Sequence, residues 1–334
     1  MSGGEADVVW LDSPGVAILR SEPVGELQEG EVLCDTMVSA ISPGTEIAAY
    51  QGLPPLRPSV GYPRLQGYCN VARVVDSKAQ DLAPGDRVLS FMSHRSRFRL
   101  PSGDVLFKLP EDADAGVTAC AYLYHLGYNA VLRSGVKAGS RVLVIGLGVL
   151  GLTSIAMARI AGADVFAVTN QSQPAAIASN LGARVFDRSG RTVLAEALGA
   201  GADVVISTVN GWEDWRLALE MAAQNGMIAC LGFPGRGEAL PSFNPFDSQY
   251  FYMKQLRIEA VGASPETDDS RGFLRFNERE NIRWIISLIA AGRLDPRQLI
   301  SGVYAGQEIA RAYEDLAARK GASLTYLLDW SARA

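Results

Sequence analysis

The period of the apolar positions changes partway along this chain. Up to about residue 109 they fall in short runs, at 8–11, 16–19, 31–39 and 70–75, rich in β-branched residues and bounded by turn signals. Pro14-Gly15, Pro43-Gly44 and Pro84-Gly85-Asp86 read as turns between them. Short strands joined by proline-rich loops predict a partly open β-barrel. From Ala115 onward a different rhythm begins. Residues 119–132 carry a helical pattern, 141–145 an apolar run, and 149–161 a helical pattern again. Strand signals at 165–169, 185–186, 204–208 and 226–232 then alternate with helical ones at 175–181, 193–198 and 215–223. Such alternation predicts a parallel sheet covered by helices on both faces, an α/β fold with a doubly wound sheet. Later come an amphipathic helix at 278–291, closed by Gly292 and Pro296, a helix at 308–319 and a strand at 323–328.

Composition narrows the function classes. The 334 residues are 48% hydrophobic and 20% charged, an ordinary globular balance with room for two domains. The net charge of −5, without a Lys/Arg run, argues against nucleic-acid binding. The longest apolar stretch, 142–161, is interrupted by glycines, Thr153, Ser154 and Arg159, so no membrane span is expected. The polar, acidic start lacks the apolar core of a secretory signal, and a cytoplasmic location is expected. Cys34, Cys69, Cys120 and Cys230 form no C-x-x-C pair and read as reduced thiols, most of them buried.

The strongest motif is Arg141-Val-Leu-Val-Ile-Gly146-Leu-Gly148-Val149-Leu150-Gly151, a strand running into G-x-G-x-x-G and then a helix. That context distinguishes a dinucleotide fingerprint from a chance glycine pattern. Gly146 permits the tight turn, Gly148 lets the pyrophosphate approach the backbone, and Gly151 permits close helix–strand packing. The free N–H groups of the helix start, at Val149 and Leu150, favour the anion. At the end of the next strand an NAD enzyme places Asp or Glu on the ribose 2′-OH. Thr169 and Asn170 stand there instead, with Ser172 beyond. Three neutral hydrogen-bonding side chains suit a 2′-phosphate, so NADPH is expected, with NADH as the alternative. No cation follows Ser172 directly, which leaves Arg188 and Arg191 as candidates for the phosphate.

With these residues in place, the chain resembles the medium-chain dehydrogenase/reductase superfamily along nearly its whole length. Gly67-Tyr68, Pro84-Gly85-Asp86-Arg87-Val88, the Gly146 fingerprint, Asp203-Val-Val-Ile and Leu231-Gly232 occur in that family's order. The resemblance implies a GroES-like barrel domain at 1–125, a Rossmann NAD(P)-binding domain at 126–264, and a return to the first domain at 265–334. It also implies a homodimer. The nicotinamide is expected between the domains, near 42–46, Tyr68, 122–128, 208–210 and 232–235, which adds Thr208, Gly232 and Phe233 to the cofactor set.

Zinc members of the family carry a Cys in the first loop, a His in Gly-His-Glu, and a later Cys or Asp. By the spacing of these landmarks, Pro43 and Tyr68 occupy the first two positions and Ala121, or its neighbour Cys120, the third, and the four-cysteine structural lobe is missing. Pro and Ala cannot ligate a metal, so no zinc is expected. The resemblance thus points to the zinc-independent quinone and enoyl reductases. The string Ser39-Ala-Ile-Ser-Pro-Gly-Thr-Glu46 is also similar to a subgroup that includes bacteriochlorophyllide a dehydrogenase, although Cys69 departs from it.

The expected activity is NADPH-dependent hydride transfer to an activated C=C bond of a small or medium apolar substrate. A zinc-free ketone/alcohol dehydrogenase for a ring-bearing substrate and a non-catalytic NADPH-binding protein are the alternatives. Without zinc, a hydrogen-bond donor must stabilise the developing oxyanion. Tyr68 is the leading candidate, its alternative role being an aromatic wall. Thr45 matches a hydroxyl that relays protons in zinc members, or else satisfies a local turn. His125 falls near a nicotinamide-contacting position and has a suitable acidity class; a buried, satisfied histidine is the other reading. Glu46 is expected to be structural, paired with Arg73 or Arg87. The run His94-Arg95-Ser-Arg97-Phe-Arg99 reads as a solvated strand or loop, or as a clamp for an anionic substrate. Tyr50, Leu53, Leu56, Trp284 and the aromatics at 243–252 are candidates for an apolar pocket, and the last group equally for a dimer surface.

Overall fold

A computed structural model describes residues 4–53, 61–262, 264, 275–319 and 323–331. Leu56, most of the 52–63 loop and most of the 263–275 loop, all expected near a pocket, lie outside the described residues. The chain divides into two compact units, Met1–Tyr122 with Ile282–Ala334, and Leu123–Asn281. Strands and helices are numbered in chain order.

The first unit holds two sheets. In the smaller, β1 (Glu5–Ser13) lies between β2 (Val16–Pro23) and β4 (Arg64–Leu65), all antiparallel. The larger runs in the order β15-β16-β3-β5-β6-β8, from Ile300–Ala305, Thr325–Asp329, Glu31–Ala40, Asn70–Ser77, Arg87–Ser90 and Phe107–Leu109. β7 (Arg97–Pro101) adds to β3. One core of this unit joins Val9, Leu11, Ile41 and Leu328 from the sheets to two helices, α1 (Pro43–Tyr50) and α9 (Ile309–Ala317). In α9 the buried residues Ile309, Ala312, Tyr313 and Leu316 recur at i, i+3, i+4 and i+7, one apolar stripe of a helix. That stripe carries Tyr313 into the interior.

Pro43-Gly44 does not form a turn between strands, as its composition suggests. Pro43 is the first residue of α1, following Ser42 at the N-cap. The proline's missing N–H costs nothing at a position without an intrahelical partner, so Pro can begin a helix as readily as mark a loop. Tyr50, read as a pocket residue, is buried core, edge-on to Tyr313 at 5.5 Å. The helical pattern at 119–132 is two helices, α2 (Ala115–Ala119) and α3 (Ala121–Ser134), separated at Cys120. The basic run is largely β7: Phe98 and Leu100 point inward, while Arg97 pairs with Asp35 and Arg99 with Glu31 across to β3. Those two arginines are therefore spent on carboxylates and do not form an anion clamp.

The second unit is a six-stranded, all-parallel sheet in the order β11-β10-β9-β12-β13-β14. The strands are Arg184–Phe186, Asp164–Val168, Arg141–Ile145, Ala202–Ser207, Ala222–Cys230 and Arg257–Ala260. Four helices connect them: α4 (Val149–Ile160), α5 (Ser172–Asn180), α6 (Arg191–Leu198) and α7 (Trp212–Met221). The central strands are continuous apolar runs because both faces are covered; β9 buries Val142 through Ile145 completely. The remaining helix, α8 (Glu278–Ala290), includes the chain boundary between the units. None of the four cysteines is in a disulfide, and three of them are buried. Among the described residues no helix is long and apolar enough to cross a membrane.

Candidate active site

In the first unit, Tyr68 sits on a constrained loop. Gly67 has φ +90° and Cys69 φ +61°, so the tyrosine lies between two left-handed residues. For Cys69, which has a Cβ, that conformation costs about 1–2 kcal/mol. Strain of this kind persists only where the surroundings enforce it, and it concentrates at functional sites. Here two backbone bonds hold the loop. His94 N–H donates to the Gln66 carbonyl at 2.9 Å, and Ala40 N–H to that of Cys69 at 3.2 Å. Gly67 also has to be glycine, because a Cβ there would come within 2.4 Å of the His94 ring.

The side chains of Ser42 and Thr45, at the start of α1, act on the Tyr68 hydroxyl. Burial pushes the phenol's pKa well up, with Cys69 and Glu46 adding to the rise; Ser42 and Thr45 only partly oppose it. Tyr68 therefore remains protonated and able to donate. Tyr122 packs edge-on against it at 4.8 Å, and the exposed Phe91 packs on Tyr122 at 5.2 Å. Tyr68 thus belongs to an aromatic cluster with Tyr122 and Phe91.

Behind this cluster lies a buried polar network. His94 and Glu46 are 0% and 1% exposed. Glu46 accepts from Ser42 N–H at 2.6 Å, from the Tyr313 hydroxyl at 2.5 Å, and lies 2.9 Å from His94 Nε2. His94 Nδ1 is 2.7 Å from Ser39 Oγ, which accepts from Trp330 Nε1 at 3.0 Å. Two expectations are corrected here. His94 is not solvated, because the strand entering β7 turns it inward onto Gly67. Glu46 pairs with neither Arg73 nor Arg87. Arg87 donates to the carbonyls of Pro110, Glu111 and Ala113, and Arg73 reaches only that of Gly85. Sequence patterning missed this network because its members are 39 to 330 in the chain and share no spacing. A Glu in the first turn of a helix was the only local signal.

The three positions matched to zinc ligands hold a proline at the start of a helix, a phenol and a fully buried Ala121. The nearby imidazole already serves Ser39 and Glu46. Among the described residues no group of three or more His, Cys, Asp or Glu is arranged to hold a metal ion. This donor set does not fit a catalytic zinc.

In the second unit the sheet register gathers the nucleotide candidates at one edge. Ile145 is opposite Val168 and Ser207, and Ser207 is opposite Cys230. The carboxyl ends of these strands therefore lead side by side into Gly146, Thr169, Thr208 and the Leu231-Gly232 turn. β9 is also where the strand order changes direction, the place at which doubly wound sheets bind ligands. Gly146 has φ +91°, and a Cβ on Gly151 would come within 1.8 Å of the Gly146 carbonyl oxygen. A Cβ on Gly148 would meet nothing within 4 Å, which leaves open space over the start of α4. Gly148 caps α4 without a side-chain acceptor, so the N–H groups that follow are available to an anion. These features fit a dinucleotide pyrophosphate.

Around the end of β10, Thr169 Oγ1 accepts from Gln171 N–H at 3.1 Å, and Asn170 Oδ1 accepts from Arg188 N–H at 2.9 Å. Ser172 opens α5. Arg188 is thereby fixed beside Asn170, its guanidinium 2.5 Å from Asp214. Arg191 pairs with Glu213 and Glu220. Thr208 donates to the Gly146 carbonyl at 3.0 Å, bracing the glycine turn. A Cβ on Gly232 would strike the Val209 carbonyl, and Phe233 N–H donates to Asn210. His125 is fully buried, its Nε2 2.9 Å from Ser264 Oγ, and burial pushes its pKa down to about 4. It is neutral at neutral pH.

Comparison with known proteins agrees with this geometry. Residues 149–279 match the zinc-binding dehydrogenase family. The chain is 24% identical to the uncharacterized zinc-type alcohol dehydrogenase-like protein YdjJ of Escherichia coli K12, over 93% of this chain and 84% of that one. It is 25% identical to D-xylulose reductase A of Aspergillus niger, over 65% of this chain and 58% of that one. In fold it is similar to 2R,3R-butanediol dehydrogenase from Bacillus subtilis (TM-score 0.81, 17% identity, 97% and 99% of the two chains). A Sinorhizobium meliloti 1021 protein described as a zinc-binding dehydrogenase, solved with NADP bound, is similar too (TM-score 0.78, 23% identity, 98% and 99%). The fold is that of the medium-chain dehydrogenases/reductases. These matches support an oxidoreductase of the zinc-type alcohol dehydrogenase kind.

Proposed function

We propose that the protein is a zinc-independent, NADPH-dependent oxidoreductase that reduces the activated C=C bond of an enone, quinone or enoyl thioester. The observation that carries the reading is Tyr68 itself, fixed between the left-handed Gly67 and Cys69 and packed on Tyr122 where the resemblance puts a metal ligand and where the donor set does not fit zinc. Bound nicotinamide would supply a hydride to the β-carbon. Tyr68 would stabilise the negative charge developing on the substrate's carbonyl oxygen by donating a hydrogen bond. Thr45 and Ser42 would orient the phenol. A proton from solvent would complete the addition of one hydride and one proton across the bond.

Gly146, Gly148 and Gly151 would seat the pyrophosphate, with the N–H groups of Val149 and Leu150 facing it. Thr208, Gly232 and Phe233 would complete the nucleotide edge. Thr169, Asn170 and Ser172, with Arg188 turned from Asp214, would receive the 2′-phosphate. His125, buried and neutral, is left as a partner of Ser264, which puts the catalytic role on Tyr68 and Thr45. We assign 1–125 and 265–334 to the catalytic domain and 126–264 to the NADPH domain. A cytoplasmic homodimer completes the proposal. Support for the dimer comes from the exposed Phe246, Tyr252 and Met253 near the outer strand β14, and support for the compartment from four cysteines held as thiols outside any disulfide.

The second reading, a zinc-free ketone/alcohol dehydrogenase, draws on the similarity to a butanediol dehydrogenase and a D-xylulose reductase. The test is NADPH oxidation with 2-cyclohexen-1-one, 1,4-naphthoquinone, crotonyl-CoA and cyclohexanone, for the native protein and Tyr68→Phe. Turnover of the unsaturated substrates, falling about 10²-fold to 10³-fold in the variant, is expected. Turnover of cyclohexanone alone would transfer the assignment to the second reading. Tight NADPH binding without any turnover would mark a non-catalytic binding protein.

A further inference from the structure

The buried histidine joins the Gln66–Cys69 loop to α1 and β3. Its backbone N–H holds the Gln66 carbonyl, and its ring lies against Gly67 so closely that no side chain fits between them. Its Nε2 faces Glu46, whose other oxygen accepts from Ser42 N–H at the start of α1. That helix start carries the two hydroxyls, Ser42 and Thr45, that act on the Tyr68 phenol. Through Nδ1 the ring reaches Ser39 on β3, and through Ser39 it reaches Trp330 after the last strand.

One tautomer satisfies this pattern throughout: with Nε2–H donating to Glu46, Nδ1 accepts from the Ser39 hydroxyl, which itself accepts from Trp330. In this arrangement each buried polar atom of the chain Trp330–Ser39–His94–Glu46–Tyr313 gives or receives at least one bond. Fully satisfied buried networks fix one geometry, and breaking one member leaves the others with an unmet desolvation cost.

We propose that His94 is the positioning residue for Tyr68: it clamps the Gln66–Cys69 loop on one side and, through Glu46, the Ser42–Thr45 turn on the other. The proposal rests on the reading of Tyr68 as the oxyanion donor. A misplacement of about 1 Å at a reacting group can cost about 10²-fold in rate, so a clamp at this point has leverage on catalysis without touching substrate.

Two readouts separate the clamp from the role of Tyr68. The first is 19F NMR of the full-length protein carrying 3-fluorotyrosine only at position 68. A single sharp resonance is expected in the native background. Broadening or splitting is expected in His94→Ala and, more weakly, in Ser39→Ala, with partial recovery in His94→Gln, whose amide can still donate to Glu46. The second is a kinetic cycle with 2-cyclohexen-1-one and NADPH. His94→Ala should lower kcat by about 10-fold to 10²-fold with KM and NADPH affinity nearly unchanged, and should add nothing in the Tyr68→Phe background. If His94→Ala fails to fold, Ser39→Ala carries both readouts in the same direction. An unchanged 19F resonance in the variants, or losses that add fully to Tyr68→Phe, overturns the proposal. A disturbed resonance with Tyr68→Phe fully active would keep the clamp and reject the catalytic reading of Tyr68.

Discussion

At the residue scale, the same physical cause works in opposite directions on two groups. Burial keeps the Tyr68 phenol protonated and the His125 imidazole deprotonated, because in each case it disfavours the charged form. For Tyr68 the result is a donor that does not ionise in the working range. For His125 the result is a pH-dependent stability. Its folded pKa of about 4 lies below the ordinary imidazole value near 6.5, so the unfolded chain binds the proton more readily. Its contribution is full above the unfolded value and is lost as pH falls from about 6.5 to about 4, with a ceiling of about 3 kcal/mol. Urea unfolding at pH 7 and pH 4.5 should show a smaller loss for His125→Asn than for the native protein. Equal losses would mean that another group governs the acid limb. That His94 would be buried against polar partners was not legible in the chain. His94 lies in a basic run whose arginines do face outward, and only the β7 pairing with β3 shows that the histidine entering it turns the other way.

At the element scale, legibility followed periodicity. The strand at Arg141–Ile145, the glycine turn and α4 were readable because an apolar run, three spaced glycines and a helical pattern fall in one stretch. The parallel order followed from strand–helix alternation. By contrast α1 was hidden by Pro43-Gly44, whose composition fits a turn and a helix start equally well. β14 and β15 went unseen because outer strands of four and six residues carry too few buried positions to show a period. At the nucleotide edge, β10 ends in neutral side chains, and this sets the cofactor prediction. Asn170→Asp would put a carboxylate where it repels a 2′-phosphate and can accept from a ribose hydroxyl, while still accepting from Arg188 N–H. Fluorescence titration should show tighter binding of NADPH than NADH in the native protein. The preference should move toward NADH by about tenfold, or about 1.4 kcal/mol, in the variant. A native preference for NADH would refute the cofactor assignment.

At the scale of the whole molecule, the chain has a dehydrogenase fold. The sheet edge of the second unit has the glycines and open helix start that a dinucleotide needs. In the first unit the positions matched to zinc ligands hold a helix start, a phenol and a packed alanine, with the Glu46–His94–Tyr313 network behind them. The fold class could be read from residue order. The network could not, since it depends on side chains brought together from six separate segments. The most direct test of the account is metal analysis of the purified protein paired with NADPH-dependent reduction of 2-cyclohexen-1-one before and after exhaustive chelation. The account predicts zinc far below one ion per chain and an undiminished rate after chelation. About one zinc per chain, with activity lost on its removal and restored on its return, would contradict it.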